Sequence, residues 1–216
     1  MKRRQKYKNP KVIAVTGGIG SGQSSVCAIL NEYGCRVIDV DKKAKQIISK
    51  DKTLQRDLQS AFGNRIFYRN GRLNRRLLAS IAFRDEEKTR MLNKLVHPRM
   101  VAEIVEEMEE ARFSQRYPLI VIDAALVFEI SIEQMFDAII VVYSGLKKRI
   151  QRVKLRDKVS EEDIIARVNR QIPLEEKRKW ADFVINNNGT MDDLRSQTRR
   201  IYEQLIDKIP LERTAK

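Results

Sequence analysis

A chain of 216 residues is long enough for one large domain with a sizeable core. Its composition, 42% apolar and 33% charged, is globular rather than disordered, and no apolar run approaches the ~20 residues of a membrane-spanning helix. A net charge of +14, from 43 Lys and Arg against 29 Asp and Glu, suits a polyanionic or phosphorylated partner without choosing among nucleic acid, anionic membrane and small molecules. Cys27 and Cys35 have no partner pair, which argues against zinc and a disulfide framework, and the single histidine, His97, excludes a multi-histidine metal centre. The start, "MKRRQKYKNPK", is basic but leads into only "VIAV", too short for a signal-peptide core. The expectation is a cytoplasmic protein with a basic tail over residues 1–10.

In chain order, apolar runs predict strands at 11–17 ("KVIAVTG"), 35–41 ("CRVIDVD"), 119–126 ("LIVIDAAL"), 138–144 ("AIIVVYS") and 182–189 ("DFVINNNG"). A helix is expected from Val26 to Tyr33. Ser160 with Asp163 forms a capping box before "IIARV", and Thr190 offers the N-cap of a last helix over about 191–209. Strands that are apolar throughout and alternate with helices imply an α/β fold whose parallel sheet is covered on both faces. The segment from about 45 to 112 breaks that rhythm. Helical patterns at "TLQRDLQSAF", "NRRLLASIAF", "EEKTRMLNKLV" and "MVAEIVEEMEEARF" read as a helical insertion between the second and third strands. In "KKRIQRVKLR", Arg149, Arg152 and Arg156 recur at helical spacing and fall on one face, which equally describes a solvated helix surface.

The stretch that carries chemistry is "TGGIGSGQSS", between the first strand and the first helix. A dinucleotide fingerprint, G-x-G-x-x-G, fails at Gln23. A phosphate loop, G-x-x-x-x-G-K-[ST], fits at Gly17, Gly22 and Ser24 and lacks only its lysine, which is Gln23. Backbone N–H groups over residues 20–25 and the following helix N-terminus would cradle phosphates, with Ser24 on Mg²⁺. Glutamine keeps a donor without the charge. Loss of one preorganised donor typically costs ~3–4 kcal/mol of barrier, so Lys42 or the arginines at 149–156 are the candidate substitutes.

Taken together, "TGGIGSGQSS", "VIDVDKKA", "VHP", "DAALVFE", "RD" and "ADFVINNNG" resemble the dephospho-coenzyme A kinase family, in order and over about residues 11–207. The resemblance implies a P-loop NTPase-type three-layer α/β/α fold with a five-stranded parallel sheet. It also implies a helical CoA-binding insertion (about 45–112) and a lid (about 147–175) within one kinase domain, 11–209, followed by a tail, 210–216. The implied reaction is transfer of the γ-phosphoryl of ATP to the ribose 3′-hydroxyl of dephospho-CoA, with Mg²⁺, in the last step of coenzyme A synthesis. By family position, Gly20, Ser21, Gly22, Gln23, Ser24 and Ser25 hold the ATP phosphates. Asp41 orients and deprotonates the acceptor hydroxyl, and Asp39 supports it. Lys42, His97, Leu126 and Glu129 lie on the acceptor side. Arg152 and Arg156 match the lid arginines, Asn187, Asn188 and Gly189 form the loop near adenine, and Asp123 joins Ser24 at the metal. A carboxylate at the C-terminal end of a strand beside the phosphate loop independently suits a general base. The chain departs from the family pattern at Gln23 for lysine, Ser25 for threonine and Ala125 for proline. ATP and dephospho-CoA are the expected partners, with no membrane and no nucleic acid, since no aromatic-rich basic patch or recognition motif is present. The other readings are a catalytically weakened nucleotide- or CoA-binding protein, a nucleic-acid binder and another small-molecule kinase.

Overall fold

Four consecutive residues of the first strand, Val12 to Val15, have no exposed surface, so both faces of that strand are covered. The structure, a computed structural model describing residues 7–207, resolves this as a five-stranded parallel sheet in the order β2-β3-β1-β4-β5. The strands are β1 (Lys11–Gly17), β2 (Arg36–Asp39), β3 (Leu119–Asp123), β4 (Ala138–Tyr143) and β5 (Phe183–Asn186). Parallel pairing requires crossover connections, and helices supply them. They are α1 (Gln23–Glu32), α2 (Val40–Lys50), α3 (Lys52–Phe62), α4 (Arg75–Ala82), α5 (Glu86–Ser114), α6 (Leu146–Asp157), α7 (Glu161–Val168), α8 (Leu174–Lys179) and α9 (Met191–Asp207).

From β1 the chain passes to the edge strand β2, returns through β3, then crosses β1 to β4 and β5. The C-terminal end of β1 therefore lies where the direction of winding reverses, the place where open α/β sheets bind ligands. Ile13, Val15, Leu119, Val121, Ile140 and Val142 pack with Val26, Leu30, Leu194 and Ile201 in one core cluster, which seats α1 and α9 on the sheet. Two aspartates fix the strand starts. Asp137 Oδ2 accepts from Val12 N at 2.7 Å, and Asp182 Oδ2 accepts from Ile139 N at 2.8 Å. Each aspartate sits just before one strand and closes the first rung of its neighbour.

Several boundaries differ from the sequence reading. The strand expected over 35–41 ends at Asp39, because Val40 and Ile47, two helical turns apart, are the buried side of α2. Asp41 is thus in the first turn of a helix. The strand expected over 119–126 ends at Asp123, and that expected over 182–189 ends at Asn186. The two helical patterns on either side of Pro98 form one helix, α5. The expected caps form: Ser160 Oγ accepts from Asp163 N at 3.1 Å, and Thr190 Oγ1 from Asp193 N at 3.2 Å. Residues 208–209 of the expected last helix, and the tail at 210–216, lie outside the described residues, as do residues 1–6 of the basic start.

The chain divides into two units, Val40–Glu107 and the remainder. The sheet belongs to the second. Within Val40–Glu107, Asp51 caps α3 by accepting from Leu54 N at 2.9 Å, and Asn74 caps α4 by accepting from Leu77 N at 3.0 Å. Arg99 ties α5 to Asp51 at 3.2 Å and to Asp57 at 2.8 Å, and Lys43 pairs with Glu107 at 2.6 Å. Leu54, Leu58, Ile66, Leu78 and Ala82 are buried in this unit. Its described residues are otherwise helix, turn and a single bridge between Phe67 and Leu73.

Candidate active site

The glycine loop leaves β1 at Gly17 and enters α1 at Gln23. Three of its glycines are required by space or backbone. A side chain at Gly17 would come within 2.8 Å of Val142 O. Gly20 and Gly22 have φ of +76° and +95°, the left-handed region that favours glycine. Some loop amides are already bonded: Ile19 N to Gln171 Oε1 at 2.9 Å, Ser21 N to Gly18 O at 2.9 Å and Ser25 N to Gly22 O at 3.0 Å. The N–H groups of Gly20, Gly22, Gln23 and Ser24 have no acceptor among the described residues. Gly22 caps α1 without a side-chain bond. Free donors at a helix N-terminus are the kind of group that suits an anion. Ser24, the motif's hydroxyl position, is exposed.

Position 23 faces inward. Gln23 Nε2 donates to Asp123 Oδ1 at the end of β3. Cys27, one turn further along α1, lies within the influence of the same carboxylate. Burial, then the Asp123 charge, holds its thiol well above the usual range. Asp39 and Asp123 are paired across β2 and β3. The second thiol, Cys35, is pushed up to about 12 by burial.

The arginines of α6 divide their work. Arg149 is 6% exposed, its Nε donates to Ile19 O at 2.9 Å, and its guanidinium lies on Gly18. Arg152 Nη1 reaches Ser144 Oγ at 3.2 Å and Ser21 O at 3.3 Å, while Nη2 donates to Asn187 O at 2.8 Å. Asn187 Nδ2 donates to Ser21 O at 2.7 Å. Arg156 is exposed and pairs with its neighbour Asp157 at 2.7 Å. Helical spacing put the three on one face; their heads separate into two that grip the loop and one that faces solvent.

The sequence of this unit and its neighbour has known relatives. A model of the family "Dephospho-CoA kinase" matches residues 11–193. The chain belongs to the dephospho-CoA kinase family. The Dephospho-CoA kinase of Listeria monocytogenes is 34% identical over 91% of this chain and 98% of that protein. The crystal structure of TT1252 from Thermus thermophilus superposes with a TM-score of 0.79 at 33% identity, covering 92% of this chain and 99% of that one. The Dephospho-CoA kinase from Campylobacter jejuni superposes with a TM-score of 0.61 at 27% identity, covering 92% and 97%. The fold is that of the P-loop kinases, and the chain is an ATP-dependent kinase of coenzyme A synthesis.

The remaining residues named from the dephospho-CoA kinase pattern fall as follows. Asn188 Oδ1 accepts from Gly145 N at 3.0 Å and Ser144 Oγ at 3.2 Å, so it fixes the turn that leads from β4 into α6. Its carbonyl accepts from Lys148 Nζ. Gly189 is close-packed: a Cβ there would lie 3.1 Å from Asp193 Cγ. Leu126 is exposed. Glu129 is enclosed, its Oε1 accepting from Lys177 Nζ at 2.7 Å and Ile172 N at 3.1 Å. In the other unit, Asp41 and Lys42 are exposed in the first turn of α2. His97, half-buried in α5, has its pKa held below the ordinary value by burial.

Two residues at this end of the sheet escaped the sequence reading. Lys177 is fully buried, and its Nζ also donates to Ala125 O at 2.9 Å, the carbonyl that Thr16 Oγ1 reaches at 3.2 Å. Burial lowers its pKa, and Glu129 opposes the shift. In "PLEEKRK" it reads as one more surface charge; only its place one turn after the buried Leu174 hinted otherwise. Gln171, which holds the Ile19 amide, had no signal in its composition or spacing.

Proposed function

We propose that this family member transfers the γ-phosphoryl of ATP to the ribose 3′-hydroxyl of dephospho-CoA, releasing CoA and ADP, in the cytoplasm. The observation that carries the reading is the phosphate loop itself, whose four free amides stand in a chain of the dephospho-CoA kinase family. The amides of Gly20, Gly22, Gln23 and Ser24 hold the phosphate oxygens. The acceptor hydroxyl attacks the γ-phosphorus as its proton passes to the Asp41 carboxylate. The bond to the bridging oxygen of ADP then breaks. Arg152 fastens the loop to the start of the Asn187–Gly189 segment, and Arg156 serves the transferring group from the lid. Lys42, His97, Leu126 and Glu129 complete the acceptor side, Glu129 by fixing the residues around it.

The donor set fits Mg²⁺. An exposed hydroxyl at Ser24 and the carboxylate of Asp123 are hard oxygen ligands, few in number, as suits an ion that retains water and binds with phosphates. Bound there with ATP, it would neutralise charge on the phosphate oxygens.

A second reading, a weakened enzyme that binds nucleotide or CoA, is favoured by one observation: the amide at position 23 is engaged by Asp123 and carries no charge. ADP release from Mg-ATP decides between them. The kinase reading expects release that depends on dephospho-CoA over other ribose-bearing acceptors, and a loss of roughly 10²–10⁴-fold in Asp41→Asn. ADP release that is indifferent to acceptor, or unchanged in Asp41→Asn, contradicts it.

A further inference from the structure

We propose that Arg149 supplies the positive charge that the lysine-free loop lacks, by placing its terminal nitrogens on the polyphosphate of the bound nucleotide. The proposal rests on the reading of the loop as an ATP site. Its basis is how the cations around the loop are already engaged. Lys177 is paired with the enclosed Glu129, and Arg156, exposed beside Asp157, is the lid's cation rather than the loop's. Arg152 has Nη1 and Nη2 on Ser144, Ser21 and Asn187. Arg149 differs. Only its Nε is bonded, to Ile19 O at 2.9 Å, and no carboxylate pairs with it among the described residues.

A buried cation with no anionic partner is costly, and a guanidinium cannot relieve the cost by losing its proton. The side chain is nevertheless held against the loop. A Cβ built on Gly18 would lie 2.5 Å from Nη2 and 2.7 Å from Cζ, so only glycine at position 18 admits the guanidinium so close to the backbone. The Arg149 carbonyl lies equally near Gly20, which fixes α6 itself on the loop. The terminal nitrogens are not among the buried side-chain atoms without partners, so they retain an opening. The arrangement gives a preorganised, uncompensated charge on the loop, with planar donors suited to phosphate oxygens. Gln23, meanwhile, is turned to Asp123.

The test is a double-variant cycle. CoA formation is measured for the natural protein, Arg149→Gln, Gln23→Lys and the double variant, and Arg149→Lys serves as the charge-retaining control. If Arg149 stands in for the lysine, Arg149→Gln lowers kcat by roughly 10²–10³-fold in the natural background but by less than about 10-fold with Gln23→Lys present. Arg149→Lys retains more activity than Arg149→Gln. Equal losses in both backgrounds, or no loss, overturn the proposal. Calorimetry without acceptor separates this from failure of the kinase reading. Arg149→Gln should weaken Mg-ATP binding by roughly 10-fold and AMP by about 2-fold or less. Equal weakening of both nucleotides, in a variant that melts at the temperature of the natural protein, overturns the proposal even in a protein that makes no CoA.

Discussion

At the scale of single residues, the most consequential side chains are charges that the fold has enclosed. Lys177 has no exposed surface and depends on Glu129 and the Ala125 carbonyl for its ammonium. Removing one member of a buried pair leaves the other uncompensated, which costs about 3–5 kcal/mol. Lys177→Met should therefore lower the melting temperature by roughly 6–20 °C for a chain of this size. Lys177→Met combined with Glu129→Gln should recover part of that loss. A single variant as stable as the natural protein would show that the pair contributes nothing. Lys177 also marks what a sequence hides. A lysine within a charged run carries no sign of burial, and its partner lies 48 positions earlier, in a turn after β3. Arg149 was visible as a charge but not as a buried one, because periodicity gives the face of a helix and not what packs on it.

At the scale of elements, the strands were legible because burial on both faces demands uninterrupted apolar runs, and such runs are rare elsewhere in the chain. Their ends were less so. The run "CRVIDVD" continues apolar past Asp39 only because Val40 faces inward from a helix. Pro98 invited a break that α5 does not make; the helix gives up the bond that a residue-98 N–H would form. The glycine loop was legible from spacing alone, yet its fastening by Gln171, Arg149, Arg152 and Asn187 was not, since those residues come from distant segments. That fastening gives a prediction. At Gly22, φ is +95°, and an added Cβ would collide with the Asn187 amide that bonds Ser21. The left-handed backbone alone costs a non-glycine residue about 1–2 kcal/mol. Gly22→Ala should lower the melting temperature by roughly 2–8 °C, on the scaling of about 2–4 °C per kcal/mol, and reduce Mg-ATP affinity by more than about 10-fold. Unchanged Mg-ATP affinity in that variant would show that the loop does not hold the phosphates.

At the scale of the molecule, the parts agree. A net charge of +14 suits phosphorylated ligands, and no helix among the described residues is long and apolar enough to cross a membrane. The family match extends from β1 into α9, through both units. Binding alone has a measurable consequence. Mg-ATP at 100 times its Kd should stabilise the folded state by about 2.7 kcal/mol, a rise in melting temperature of roughly 5–11 °C. What sets this chain apart from the family pattern is Gln23 in place of the loop lysine. The most direct test is to incubate the natural protein with Mg-ATP and dephospho-CoA and to identify the product by mass, beside Gln23→Lys. The account predicts that CoA and ADP form in equal amounts from the natural sequence. ATP binding with no CoA, while Gln23→Lys produces it, would contradict the account and leave a binding protein in place of the kinase.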